Sequence, residues 1–597
     1  MPALAGIYTI DQEILNSYFK QMRNVLHSLF GSVNEKVLNM SNFSCVLNRP
    51  DNQLVFNKND NSCLVFEGEL FSLNDPMSLD QLMGQIEQLL NSAQFSALGK
   101  LNGMFCFVYW NKVNNTLILG RDHLGSYPLF YTNTKDRFIF SSTFQSLQKL
   151  SSIDNKPDYA GISHLINFGH WLGNHTYIEE IKSVPPGSVM VCKEGQIETI
   201  EYWKPEFKRE PILKTNRFFD ELYELWIQAV KQRIDGTTGL LLSGGVDSRM
   251  IAAALPTDRS IWALTYGIPE AWDHIFAKRI AKYTPISFNT LFLDESVMDD
   301  FKTDLETHYQ YSEGFPGLLG TYLKTTSCHV SKHVSTVMEG AGGEVTRRSV
   351  YRRFANFNQN NLDFRHTFIQ SNNQLRHFKN YFTEDFYSEL EKSWDSSAHS
   401  IFNTTIPDCS IHDFLDLYYL KQRVRNGYSM GNNFEKNFIR CRLPFFDVDF
   451  IHAIMAIPEK IRKTGYVPIE LIKRGNPLIL NIPLSRGDLP LPITAGLLRT
   501  GWVQMRERIL QKASNRFGFF GKFSRSKGMT DYPAWLRGAW KKDVNSLLND
   551  HATFNTDWFN KRGIHAFINA FLEGKNSDIS TLNNLLTLNW ISQSINI

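Results

Sequence analysis

Gly239-Leu240-Leu241-Leu242-Ser243-Gly244-Gly245-Val246-Asp247-Ser248 is the stretch on which the fold turns: an apolar run stops there at a turn of small residues carrying two hydroxyls and one carboxylate. Gly239 to Leu242 reads as a buried parallel strand, Ser243 to Asp247 as a tight loop, and Ser248 onward as the first turns of a helix. Two glycines let the backbone approach an anion with several N–H groups pointing inward, and the helix behind them adds about half a positive charge at its N-terminus. Such a loop suits phosphate. Ser243 and Ser248 can donate to the same oxygens, and Asp247, which would otherwise repel them, is explained by a magnesium ion held between it and the phosphates. No Gly-Lys-Ser/Thr follows, so a Walker A cradle is excluded.

Downstream, Ile261 to Gly267 reads as a second buried strand, Ala277 to Tyr283 as a helix and Phe288 to Phe292 as a further strand. Strands alternating with helices imply a parallel sheet whose ligand sits at the carboxyl ends of the strands. Gly267 falls at such an end, either beside an adenine or as a plain turn glycine. SGGVDS resembles the pyrophosphate loop of the ATP pyrophosphatases, which split ATP to AMP and pyrophosphate to adenylate a substrate. The nucleotide-binding set expected from this is Leu242, Ser243, Gly244, Gly245, Val246, Asp247, Ser248 and Gly267, joined by Gly342 and Gly343 from a second glycine cluster.

At 597 residues the chain exceeds one core and is expected to hold two domains. A hydrophobic share of 42% and a charged share of 21% are those of a globular protein, and a net charge of +3 points to neither nucleic acid nor a membrane surface. MPALAGIYTIDQE has no signal-peptide pattern, and no window is apolar enough for a membrane span. Seven scattered cysteines form no C-x-x-C pair, which predicts a reduced, cytoplasmic setting and argues against a structural zinc.

Upstream of the loop, strands are expected at 4–10, 63–71, 104–110, 116–121, 129–132, 138–141 and 188–192, with a helix over 79–92. That density predicts stacked antiparallel sheets with helices outside them. The run LNGMFCFVYWNKVNNTLILGRDHLGSYPLFY (101–131), then FSSTFQSL and VPPGSVMVCKEGQIETIEYW (184–203), resembles the glutamine amidotransferase domain of the asparagine synthetase family. The resemblance implies an Ntn-hydrolase-like sandwich over 1–205. It also implies a nucleophilic cysteine where this chain has Ala5, and an alanine methyl cannot form a thioester. The family's oxyanion Asn-Gly pair is replaced by Glu67-Gly68, whose carboxylate would oppose the developing charge. Arg49-Pro50-Asp51 either echoes a glutamine-binding loop or is an ordinary turn, and Cys106 reads as core. The expected outcome is a retained fold without glutaminase activity.

Lys204 to Lys214, with two prolines and mixed charge, reads as a linker into a second domain over 216–597. There Val337-Met338-Glu339-Gly340-Ala341-Gly342-Gly343-Glu344-Val345 resembles the family's Gly-Glu-Gly-Ser-Asp-Glu segment. An ungapped alignment puts Glu344 at the metal-linked aspartate, so Asp247 and Glu344 are the expected Mg2+ ligands, and puts Ala341 where the family has its first glutamate. Arg442-Leu443-Pro444-Phe445-Phe446-Asp447 resembles the Arg-x-Pro-Phe-x-Asp signature. Arg423 and Arg425, before it, face either an acidic substrate or solvent. The family's catalytic lysine, some forty residues after that aspartate, has no counterpart in Asn481 to Pro490; Arg486 is the nearest cation, with Lys473 and Arg474 before it. Residues 350–412 form a polar, aromatic-rich insertion with no readable chemistry, and the last hundred residues read as amphipathic helices like those of lasso peptide cyclases. The resemblance implies an α+β domain followed by an α/β parallel-sheet ATP pyrophosphatase domain (adenine nucleotide alpha hydrolase-like) with a helical extension. It implies ATP and Mg2+ as cofactors and amide formation through an acyl-adenylate, with closure of a peptide macrolactam favoured by the lost glutaminase groups. A peptide carboxylate and a leader-binding or protease partner are the expected partners. A small-molecule amide or lactam synthetase and a non-catalytic nucleotide-binding homologue stay open.

Overall fold

The computed structural model describes residues 3–31, 35–48, 54–71, 79–134, 136–207, 216–347, 354, 364–406, 409–462, 464–484, 528–549 and 554–595. Short runs of apolar and β-branched residues in the first two hundred positions pair into two six-stranded sheets, antiparallel throughout. In one, Ala3–Tyr8 lies at the centre between Phe43–Asn48 and Phe138–Ser141. In the other, Gly103–Asn111 lies between Ser62–Leu70 and Thr116–Arg121. The sheets pack face to face, with Trp110 of the second 5.0 Å from Tyr8 and 5.8 Å from Phe43 of the first, ring centre to ring centre.

Helix Gln12–Phe30 lies against the first sheet through Leu15, Phe19, Met22, Leu26 and Leu29, a stripe at spacings of three and four. Asp11 caps its start by accepting from the N–H groups of Glu13 and Ile14, and Gly31, at φ 77°, ends it. Helix Leu79–Asn91 packs on the second sheet. The layer order helix, sheet, sheet, helix is the expected Ntn-hydrolase-like sandwich.

The second half is built on a five-stranded parallel sheet in the spatial order Ile286–Phe292, Ile261–Gly267, Thr238–Leu241, Thr336–Met338, Arg440–Arg442. From the central strand Thr238–Leu241 the chain builds outward first on one side and then on the other. The order therefore reverses at that strand, and the loop after Leu241 opens into the crevice where such sheets bind ligands. Trp226, on helix Asn216–Lys231, anchors the sheet's flank against Phe445 and Phe450 at 4.5 and 4.7 Å. No helix among the described residues is long and apolar enough to cross a membrane.

One expectation is corrected here. Helix Ile579–Ile595 carries no single apolar stripe: Leu582, Leu585, Leu586, Leu588, Ile591 and Ile595 are buried together with Thr581, Thr587, Asn589 and Ser592. It is wedged between the two halves, with Gln148 of the first donating to the Ser594 carbonyl at 2.9 Å and the Tyr309 ring of the second tilted against Trp590, 5.3 Å between centres. A helix enclosed on most sides needs apolar residues around most of its circumference, which masks amphipathic periodicity.

Candidate active site

The loop after the central strand is wound on itself. The Ser243 N–H donates to Ser248 Oγ at 3.1 Å, the two hydroxyls lie 3.0 Å apart, and the Gly245 N–H donates to Ser243 Oγ at 3.1 Å. The Gly244 N–H meets a carboxylate oxygen of Asp273 at 2.7 Å, so the loop already holds one anionic oxygen. Helix Val246–Ala253 begins at Gly245 without a side-chain cap, which leaves its first N–H groups for a ligand. Arg249, on the same helix, is fully buried and donates to the carbonyls of Gly244, Ile479, Ile482 and Pro483. Burial pulls its pKa down to about 10. It ties the loop to the segment after helix Tyr466–Gly475.

Asp247 points at the turn that follows strand Thr336–Met338. A Cβ at Gly343 would fall 2.2 Å from Asp247 Oδ1, and one at Gly340 would fall 2.9 Å from Asp247 Cβ. Gly342, at φ 92°, is pressed against Phe446. These glycines are what let the carboxylate lie against the turn. Asp247 is held by both terminal nitrogens of Arg347, Nη2 reaching Oδ2 at 2.7 Å. Glu344 turns elsewhere and accepts from the Tyr419 and Tyr428 hydroxyls at 2.7 and 3.2 Å. Burial depresses the Arg347 guanidinium, but Asp247 and then Glu344 outweigh it and hold its pKa above the usual value. The two expected metal ligands thus share a cation, and it is an arginine. Asp247, beside the uncapped start of helix Val246–Ala253, is an oxygen donor of the kind Mg2+ takes, and it is the residue here that would hold such an ion.

Tyr419 and Tyr428 bound a π-helical stretch, Tyr419–Tyr428, that continues helix Ile411–Tyr418. Wide turns of this kind are used where side chains must be aimed at a site. Arg423, on the same stretch, lines a cavity of about 470 Å³ together with Tyr266, Tyr322, Glu339, Ala341 and Glu435. Phe168 and His170 of the first half and Asn583 of the C-terminal helix complete its wall. Burial, and then Glu339, push Glu435 up to about 8.

Other expected residues serve different ends. Gly267, at φ 149°, does sit at a strand end, where the Met529 carbonyl accepts from the next N–H at 2.9 Å. Lys473 is exposed, while Arg474 beside it pairs with Glu470 and Asp220. Arg486 and Arg49-Pro50-Asp51 lie outside the described residues. Arg425 faces neither substrate nor solvent: it is buried against Asn174, Ser183 and Val184 of the first half. The Arg442 to Asp447 signature is spent at the same boundary. Arg442 forms a two-point pair with Glu69 at 2.9 and 2.6 Å, and Asp447 binds Arg233 at 3.0 Å and Asn102 at 2.6 Å.

In the first half, Ala5 is fully buried in mid-strand, opposite Val46 and Ser141. Glu67 is buried opposite Cys106, which is core as expected. Lys436 enters from the second half, 3.4 Å from the centre of the Tyr127 ring, and donates to the Ser126 carbonyl at 3.0 Å. Burial drives its pKa down while Glu67 opposes the shift. Nothing in the sequence marked Lys436. Arg347 had a faint signal, a cation one helical turn after Glu344.

An antiparallel sandwich joined to a parallel sheet with a glycine-serine loop at its reversal point defines a two-part architecture, an α+β half followed by an α/β half. Residues 84–203 match the glutamine amidotransferase domain family and residues 221–474 the asparagine synthase family, which together cover more than half of the chain. The chain belongs to the asparagine synthetase family. It is 28% identical over 212 residues to asparagine synthetase [glutamine-hydrolyzing] 3 of Bacillus subtilis, covering 33% of this chain and 34% of that one. It is 32% identical over 163 residues to synthetase 1 of the same organism (26% and 25%). A putative asparagine synthetase of Methanocaldococcus jannaschii is 23% identical over 318 residues (50% and 54%). The matched stretches thus span a quarter to about half of these relatives.

Proposed function

We propose that the protein is an ATP-dependent amide ligase that activates a carboxylate as its acyl-adenylate, with Mg2+, and joins it to an amine from a source other than glutamine. The observation that carries this reading is the loop Ser243–Ser248 at the sheet's reversal point, which runs into a helix whose start has no side-chain cap and whose Asp247 is held by Arg347. Asp247 and Glu344 are the residues that would hold magnesium, which would supply positive charge against the phosphates. The chain's own residues do the rest. The N–H groups at the uncapped start of helix Val246–Ala253 and the hydroxyls of Ser243 and Ser248 hold the departing pyrophosphate, and Arg347, once released by Asp247, adds positive charge where negative charge builds up. Arg423 lines the cavity as a cation that an acidic substrate would meet.

Loss of glutamine hydrolysis is supported by Ala5, which has no nucleophile and whose nitrogen is a mid-strand peptide N–H instead of a free amine. The amine then comes from the substrate or a second molecule. Our reading is macrolactam closure of a peptide in the cytoplasm, as in lasso peptide cyclases, with a leader-binding or protease partner delivering it. A small-molecule amide or lactam is the second reading, favoured by the size of the cavity, about 470 Å³.

The test is pyrophosphate release from ATP and Mg2+ with panels of peptides and small acids, each with an amine. Release with one class and loss of release in Asp247→Ala are expected, and the responding class decides between the two substrates. Glutamate formation from glutamine by the unmodified protein, or ADP as product, would overturn the reading.

A further inference from the structure

Two helices of the insertion lie in contact, and each offers a pair of polar side chains one turn apart beside their apolar contact. Helix Phe364–Ser371 contributes His366 and Gln370, and helix Glu384–Thr405 contributes Asp395 and His399. Residues four apart lie on one helix face, so each pair reaches toward the other helix. His366 Nδ1 lies 3.2 Å from His399 Nε2, and His399 Nε2 lies 3.9 Å from Asp395 Oδ1. One ligand atom from each of His366, Asp395 and His399 falls within 4.8 Å of the other two.

We propose that His366, Asp395 and His399 form a binding site for a borderline transition-metal ion of the Zn2+ class, clamping the two helices. A tetrahedral ion about 2.05 Å from each nitrogen requires the nitrogens about 3.3 Å apart, which is near the separation seen. The Asp395 oxygen has to close on His399 Nε2 by about half an ångström and on His366 Nδ1 from within 4.8 Å, which a side-chain rotation supplies. Gln370 donates to that oxygen at 2.8 Å and so presets the carboxylate, the outer contact a metal-binding acid ordinarily has. Two imidazoles and one carboxylate select Zn2+, Co2+ or Ni2+ over Mg2+, which takes oxygen donors. The site therefore does not compete with the nucleotide loop for its ion. His366 is exposed and the other two are half-buried, so the fourth position is open to water. The same groups without an ion make a plain histidine–histidine hydrogen bond, and the experiment separates the two.

Full-length protein stripped with a chelator is titrated with Zn2+ by calorimetry in excess Mg2+, and in parallel with Co2+ followed by visible absorption. One saturable site, the ligand-field bands of low-coordinate Co2+ and a melting temperature raised by Zn2+ are expected. All three signals are lost in the His366→Ala/His399→Ala double variant, whose melting temperature in chelator matches the parent's. Asp395→Asn, which keeps both imidazoles, weakens binding more than about ten-fold. No saturable site in the parent overturns the proposal. Undiminished binding in the double variant also overturns it, because the ion then sits elsewhere.

Discussion

Gly343→Ala adds a single methyl in direct line with the carboxylate on which the nucleotide site depends. Its carbon would sit 2.2 Å from Asp247 Oδ1, 2.3 Å from Cγ and 2.8 Å from Cβ, against a contact distance of about 3.4 Å or more between non-bonded atoms. More than an ångström of relief is needed, and Asp247 has little room to supply it: Arg347 grips both its oxygens and Gly340 closes on its Cβ. Either the aspartate swings off Arg347 or the turn backs away from the loop. Overpacking of this kind costs about 1–3 kcal/mol of stability, leaving the protein folded. Displacing a site group by about an ångström costs on the order of a hundred-fold in rate, and we expect ATP affinity in Mg2+ to fall by about ten-fold or more. Displacement of a fluorescent ATP analogue reads this without knowledge of the acceptor acid. Gly84→Ala, on the exposed face of helix Leu79–Asn91, is the control, since its added methyl meets nothing within 4 Å. If Gly343→Ala binds ATP as the parent does, Asp247 is not part of the nucleotide site and the geometry argued from it fails.

Three further outcomes follow from buried groups. Arg249→Met leaves the Gly244, Ile479, Ile482 and Pro483 carbonyls without their donor and should cost about 2–4 kcal/mol in urea unfolding; a loss under about 0.5 kcal/mol would mean that the arginine does not tie the loop down. Burial raises Glu313 to about 8 from an unfolded value of 4.5, so the folded state holds its proton more tightly. That contribution to stability is complete below pH 4.5, declines as pH rises and is gone above about 8; Glu313→Gln should flatten this part of the stability profile, and superimposable profiles would refute the assignment. Ala5→Cys should release no glutamate from glutamine, because the new thiol is neither N-terminal nor rid of Glu67, and measurable hydrolysis would show that the first half had kept its glutamine site.

The sheet was legible where one chemical demand dominates. Ile261 to Gly267, Thr116 to Arg121 and Phe138 to Ser141 fall where apolar runs between turn residues predict them. Helix Gln12–Phe30 passed unread although its stripe is regular, because polar residues fill the rest of its circumference and lower its mean hydropathy. Glu35–Met40 and Gln196–Glu201 are edge strands rich in charge, and charged edges blur the pattern that marks a strand. At the site, glycines and hydroxyls in one loop could be read because their chemistry is local. Arg347 reaches Asp247 across 100 positions and Lys436 reaches Ser126 across 310, and no short window contains such pairs.

Those long-range pairs also bear on why a first half without a nucleophile is kept. Charged side chains of the second half hold the first: Arg442 on Glu69, Asp447 on Asn102, Arg425 on Asn174 and Ser183, Lys436 on Ser126. Deleting one partner while the boundary stays closed leaves a buried arginine with its desolvation cost and less compensation: without Glu69, Arg442 keeps Asp235 and the Arg233 carbonyl. Leu165, Phe168 and His170 of that half also form part of the cavity wall beside Tyr266 and Glu339. On this account the first half persists as part of the wall of the proposed ligase site. Two measurements on one variant set check it: Glu69→Ala should lower stability by about 3 kcal/mol and weaken acceptor binding, while glutamine chemistry stays absent throughout. Retained acceptor affinity in a destabilised Glu69→Ala protein would separate the interface from the cavity and confine the first half to a structural role.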